Sequence, residues 1–120
     1  MVNGRPHYKL EVWQKSMLLV KEVYKSTAAF PKSEVYGLSS QMRRSAISVP
    51  SNIAEGAARK SAAEFLQFLN IAQGSLSELD TQVELSQMLG YVKPEDHAKL
   101  TSDITTIFKL LSGLIRSVRR

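Results

Sequence analysis

Apolar side chains recur along this chain every three or four residues. From about residue 9 to 29 they are Leu10, Trp13, Met17, Val20 and Tyr24, with Thr27 completing the stripe, which is the spacing of a helix with one buried face. Phe30-Pro31 ends it, because the residue before a proline is pushed out of the helical region. Ser33 is placed as N-cap of a second helix, along which Val35, Leu38, Met42, Ser45/Ala46, Val49 and Ile53 continue the pattern. Gly56 and the polar Arg59-Lys60 mark its end. Ser61-Ala62-Ala63-Glu64 has the form of a capping box. It opens a third helix, 61–89, with a heptad-like seam of Phe65, Leu69, Ala72, Leu76, Leu79 and Val83. Gly90 then serves as a C-cap glycine. Pro94, Glu95 and Asp96 suit the first turn of a fourth helix. Its face runs Leu100, Ile104, Ile107/Phe108, Leu111, Ile115 and Val118, and Arg116, Arg119 and Arg120 favour its negative end. No stretch alternates as a strand would. Short connections predict antiparallel neighbours, hence an all-α, up-down-up-down four-helix bundle. An arm over residues 1–8 precedes a single domain over 9–120.

The length of 120 residues suits one domain. The absence of cysteine excludes a disulfide scaffold, thiolate metal sites and thiol catalysis. No apolar run approaches a membrane span, and the first residues lack the apolar core of a signal peptide, so a cytoplasmic protein that does not contact membrane is expected. The net charge of +5 hints at anionic partners without specifying one. The charge is uneven: residues 1–60 carry ten Lys/Arg and four Asp/Glu, a net of +6, and residues 61–120 carry six and seven, a net of −1. The third helix has no Lys or Arg but holds Glu64, Glu78, Asp80 and Glu84. Either this acidic helix packs beside basic ones within one bundle, or its acidic face meets a basic face of another subunit. Both can hold.

The second helix carries a polar stripe, Gln41, Arg44, Ser48, Asn52 and Glu55, at steps of three, four, four and three. Gln, Asn, Ser and a single Arg pair directionally, unlike the Lys/Glu mix of a solvated face, which favours a polar seam to a neighbouring helix or subunit. Counting back from a turn near residues 59–60 sets Arg44 opposite Ser75 and Glu55 opposite Glu64. An Arg44–Glu78 pair is expected, within the chain or between subunits; phosphate is the other partner open to Arg44. Gly74-Ser75 would permit close helix approach at that level. Pro50, inside the helix, predicts a bend near Ala46–Pro50.

Catalysis finds little support. His7 and His97 stand alone, without metal-ligand spacing. No nucleophile elbow, phosphate-cradling glycine loop or dinucleotide fingerprint occurs. Glu55 and Glu64 could share a proton across the turn, but one carboxylate pair without a pocket is weak support. No catalytic residue, cofactor or metal ligand is assigned.

Several segments carry a resemblance: Trp13-Gln14-Lys15, the run Phe30-Pro31-Lys32-Ser33-Glu34-Val35-Tyr36-Gly37-Leu38, Gln41-Met42-Arg43-Arg44-Ser45-Ala46, and Val49-Pro50-Ser51-Asn52-Ile53-Ala54-Glu55-Gly56. Glu64-Phe65, Ala72-Gln73-Gly74-Ser75, Glu78-Leu79 and Thr81-Gln82 extend it. From about Tyr8 to Gly90 the chain resembles the family of 23S rRNA intervening-sequence proteins, most specifically over 30–56. The resemblance implies a small bacterial protein, encoded within or related to such insertions, whose four-helix bundle assembles into a pentameric ring or barrel. The fold is also similar to the accessory variability protein of diversity-generating retroelements, which binds nucleic acid and a reverse transcriptase.

Two non-enzymatic functions follow. The first is a homo-oligomer that binds RNA or DNA, with Lys15, Lys21, Lys25, Arg43, Arg59, Lys60, Arg116, Arg119 and Arg120 as candidate contacts. Repetition around a ring would turn a modest charge per chain into a large field. No aromatic platform for stacking bases is read; Trp13, Tyr24, Phe65, Phe68 and Phe108 are assigned to core or interface. The second is a scaffold for a protein partner, whose face would be the polar stripe of the second helix or the apolar Leu19, Ile47, Leu66, Ile71 and Leu85. Leu19, Ile47, Leu66, Ile71 and Leu85 fall off the main seams and are assigned to an oligomer interface.

Overall fold

A 3-10 turn, Pro6–Lys9, hands the chain through the extended Leu10 to the first helix in a computed structural model that describes residues 4–120. The four helices are α1 (Glu11–Thr27), α2 (Leu38–Ala57), α3 (Ala62–Met88) and α4 (Pro94–Arg119). Together they form an all-α four-helix bundle, with no strand among the described residues.

The period expected for α1 is present, but its phase is rotated. The buried face is Val12, Ser16, Leu19, Val23 and Thr27, while Leu10, Trp13 and Val20 flank it half-buried. Met17 and Tyr24, expected in the core, are 46% and 41% exposed, and Leu19, expected on the surface, is only 2% exposed. Two hydroxyls explain the difference. Ser16 donates to the Val12 carbonyl at 2.6 Å and Thr27 to the Val23 carbonyl at 2.7 Å. Back-bonded in this way, both polar residues enter the core without an unpaired group.

Phe30 is buried, and a second 3-10 turn follows at Lys32–Glu34. Ser33 lies inside that turn, so it is not the N-cap of α2. Gly37 holds that position, and Glu34 Oε1 accepts the Leu38 N–H at 3.1 Å. Val35, expected on the core face, is exposed. α2 runs as one helix through the buried Pro50. Ser61 caps α3 as expected, accepting the Glu64 N–H at 3.2 Å and donating to Glu64 Oε1 at 3.1 Å. Leu69, Ala72, Leu76, Leu79 and Val83 of α3 are fully buried. At its C-terminus Gly90 adopts φ +77°, Gly90 N–H bonds the Gln87 carbonyl at 3.0 Å and Tyr91 N–H bonds the Ser86 carbonyl at 2.9 Å. These two bonds satisfy carbonyls the helix end would leave orphaned, in a conformation that costs glycine nothing. α4 buries Leu100, Ile104, Ile107, Leu111 and Ile115, with Phe108 and Val118 half-buried beside them.

The α2–α3 pair meets at three levels. Gly56 faces Phe65 and Phe68 so closely that a Cβ there would lie 2.8 Å from Phe68 Cβ and 2.9 Å from Phe65 Cδ1. Ser48 and Ser75 hydroxyls bond at 2.7 Å, and Ser86 Oγ reaches Met42 Sδ at 3.2 Å. Ser75 is thus level with Ser48, one turn from the expected Arg44. Because Gly56 lies level with Phe65 and Phe68, the first turn of α3 extends past the end of α2, which shifts the count.

Side chains tie both ends. Tyr91 O–H donates to Glu34 Oε2 at 3.0 Å, and its ring lies 5.3 Å from that of Phe30. At the other end Tyr8 stacks on Trp13 at 5.1 Å, His7 sits edge-on to both at 4.9 Å, and Gln14 donates to the Tyr8 carbonyl at 2.7 Å.

Gly56→Ala should lower stability by about 1–3 kcal/mol, because the neighbours of the added methyl include a Cβ that cannot swing away; urea unfolding measures this. The hydrogen bond to Glu34, with partial burial and the Glu34 charge, raises the Tyr91 pKa above its ordinary 10.0. The folded chain therefore holds this proton more tightly than the unfolded chain. That contribution is full below the ordinary value and is lost as pH rises through the raised one. Melting temperatures followed from about pH 8 to about pH 11 should fall more steeply for the parent chain than for Tyr91→Phe.

Candidate nucleic-acid interface

The nine candidate cations do not form one patch. Lys15, Lys21 and Lys25 lie on α1, Arg43 on α2, Arg59 and Lys60 in the α2–α3 connection, and Arg116, Arg119 and Arg120 at the end of α4. Three are engaged. Lys15 lies 4.0 Å from Glu11, and Arg59 bonds Glu55 at 2.9 Å with its guanidinium 4.9 Å from the Phe68 ring. Arg43 Nε donates to Thr27 Oγ1 at 2.8 Å, and its guanidinium lies 4.4 Å from the Tyr24 ring. Lys21, Lys25, Lys60, Arg116, Arg119 and Arg120 are exposed and form no ion pair with a carboxylate among the described residues. Exposed pairs such as Lys15–Glu11 are weak, so Lys15 too remains available to an anion.

The polar stripe of α2 divides. Ser48 and Asn52 form a seam to α3: Asn52 Nδ2 donates to the Ser48 carbonyl at 2.8 Å and to Ser48 Oγ at 2.9 Å, while Ser48 bonds Ser75. Gln41 and Arg44 point to solvent, and Glu55 is held by Arg59. The expected Arg44–Glu78 pair does not form within the chain, because the register sets Arg44 a turn away from the level assumed. Glu55 and Glu64, expected to lie together across the turn, hold different partners: Glu55 bonds Arg59, and Glu64 belongs to the α3 cap.

Of the apolar candidates, Ile47, Ile71 and Leu85 are more than two-fifths exposed, but Leu66 is half-buried against the core. Ile71, Gly74, Glu78, Thr81 and Leu85 follow one another along α3 at steps of three and four, one exposed stripe. A Cβ at Gly74 would meet nothing within 4 Å, so no helix of the same chain approaches there. The Tyr24–Arg43 stack was missed because Tyr24 has core spacing; its signal was an arginine and a tyrosine on adjacent helices, which sequence spacing does not bring together. His97 also gains an unforeseen partner, with Nε2 at 2.6 Å from Glu84 Oε2.

Among the described residues, no three His, Asp or Glu side chains converge as metal ligands, and no helix is long and apolar enough to cross a membrane. The molecule is a four-helix bundle protein whose candidate cations are scattered over its surface. The family model of the 23S rRNA-intervening sequence protein matches residues 8–113, and the chain belongs to that family. It is similar to a protein of unknown function from the S23 ribosomal protein family of Bacteroides thetaiotaomicron VPI-5482, at 30% identity and a TM-score of 0.78 over 87% of this chain and 97% of that one. No curated protein matches it.

Ser48→Ala and Ser75→Ala should each cost about 0.5–1.5 kcal/mol. A double-mutant cycle by urea unfolding should return a coupling of at least about 0.5 kcal/mol, since the two hydroxyls share one bond.

Proposed function

We propose that this chain is a non-enzymatic, cytoplasmic protein that binds RNA or DNA through its phosphates and acts as a homo-oligomer. Its helices alternate up-down-up-down. The α2–α3 contacts support that direction, since Met42, Ser48 and Gly56 meet Ser86, Ser75 and Phe68 in falling order. The assembly is a ring of copies, five in the form the family resemblance implies. Its interface includes Ile71, Gly74 and Leu85. An exposed glycine in mid-helix costs about 1 kcal/mol relative to alanine, and a second copy approaching closely at Gly74 would offset that cost.

The observation that carries nucleic-acid binding is the set of exposed cations without carboxylate partners among the described residues: Lys21, Lys25, Lys60, Arg116, Arg119 and Arg120. Unpaired cations release counterions from a phosphate backbone without first breaking an ion pair, which gives affinity without base specificity. The alternative is a scaffold for a protein partner, favoured by the exposure of Tyr36 (97%) and Met88 (81%).

Labelled RNA and DNA titrated with protein across a salt series should show affinity falling linearly on logarithmic axes, and Lys60→Glu with Arg119→Glu should flatten that slope by about 0.9 for each phosphate that is no longer neutralised. No binding at low salt would favour the protein scaffold. Ile71→Lys should lower the native mass measured by light scattering; an unchanged mass would remove Ile71 from the interface.

A further inference from the structure

A cavity of about 390 Å³ opens between α1 and α2, lined by Tyr24, Val35, Ser39, Ser40, Arg43, Arg44 and Ile47. That volume falls within the roughly 300–1,000 Å³ common for small-molecule sites. Its walls hold two arginines and no acid. The nearby Glu34 is committed elsewhere, one oxygen to the Leu38 N–H and the other to Tyr91 O–H.

The two arginines differ in a useful way. Arg43 is fixed, with Nε on Thr27 Oγ1 at 2.8 Å, Nη2 reaching the Tyr24 carbonyl at 3.4 Å and the guanidinium over the Tyr24 ring. This leaves Nη1 as a pre-oriented donor that loses little freedom on binding. Arg44 is exposed and forms neither an ion pair nor a hydrogen bond among the described residues. Ser39 and Ser40 also line the cavity and bring two hydroxyls to the same wall as the arginines. Both lie in the first turn of α2, at the positive end of its dipole. The opposite wall is apolar and aromatic, with Val35, Ile47 and the Tyr24 ring all partly open.

A charged half and a flat apolar half, side by side, match one nucleotide unit. We infer that this cavity is a nucleotide subsite of the proposed nucleic-acid interface, and the inference rests on that reading. The phosphate takes the Arg43 and Arg44 guanidiniums with the Ser39 or Ser40 hydroxyl, and the base packs against Tyr24 and Ile47. Stacking of this kind tolerates any base.

Full-length protein labelled with nitrogen-15 is titrated with uridine 5′-monophosphate, inorganic phosphate and uridine, following amide resonances. The monophosphate should move the amides of Tyr24 and of residues 39–44, and should bind at least about fivefold more tightly than phosphate or uridine alone, since one base stack contributes about 1–3 kcal/mol. Arg44→Gln breaks no bond in the chain, so it should keep its melting temperature and weaken the monophosphate about tenfold, the loss of one charged interaction. Lys60→Gln should leave that affinity unchanged. Shifts elsewhere, equal affinity for phosphate and monophosphate, or indifference to Arg44→Gln overturns the subsite. Long RNA that binds while the monophosphate leaves these amides unmoved removes the subsite and keeps the proposed function. Monophosphate binding here without RNA binding removes the proposed function and keeps a nucleotide site.

Discussion

The close approach of α2 to α3 governs the rest of the molecule. Gly56 admits Phe65 and Phe68 at one end, the Ser48–Ser75 bond fixes the middle, and Ser86 on Met42 closes the other end. A side chain at Gly56 would push the helices apart, and packed interiors tolerate little extra volume. Once these levels are set, Leu69, Ala72, Leu76, Leu79 and Val83 reach the centre together, and Met42, Val49 and Ile53 reach it from the other side. The ends are then tied by Tyr91 on Glu34 and by Tyr8 on Trp13.

That arrangement has a consequence for the surface. With Ser48, Asn52 and Ser75 satisfying one another, the remaining α2 polar residues, Gln41 and Arg44, are released to solvent. Arg43 turns towards α1, where Thr27 and Tyr24 hold it. The same hydroxyl of Thr27 that lets a polar residue enter the α1 core also accepts from Arg43. Core packing of α1 and orientation of the arginine beside the cavity therefore share one atom.

Much of this is legible in the chain, for stated physical reasons. Most of the buried faces of α3 and α4 follows from the sequence because all their core positions but Gln82 and Ser86 are apolar and their caps, Ser61 with Glu64, Gly90 and Pro94, have local signals. The phase of α1 is not legible. Ser16 and Thr27 count as polar in any pattern, and only their back-bonds to the helix make them core residues. The α2–α3 register escapes for a different reason: it depends on how far α3 extends past the turn, which Gly56 and two phenylalanines decide in three dimensions. That one-turn difference removes the Arg44–Glu78 pair and leaves Arg44 beside the cavity. The cations are countable from sequence, but which of them lack a carboxylate requires the folded chain.

The proposed assembly and the proposed phosphate-driven binding meet in one quantity, the mass of the species that would carry nucleic acid. Sedimentation velocity of fluorescent RNA mixed with the protein reads it directly. RNA should move with a multiple of the 13.4 kDa chain at low salt and be released intact from that same multiple as salt is raised. A 13.4 kDa species that never moves with the RNA, at any salt concentration, would contradict it.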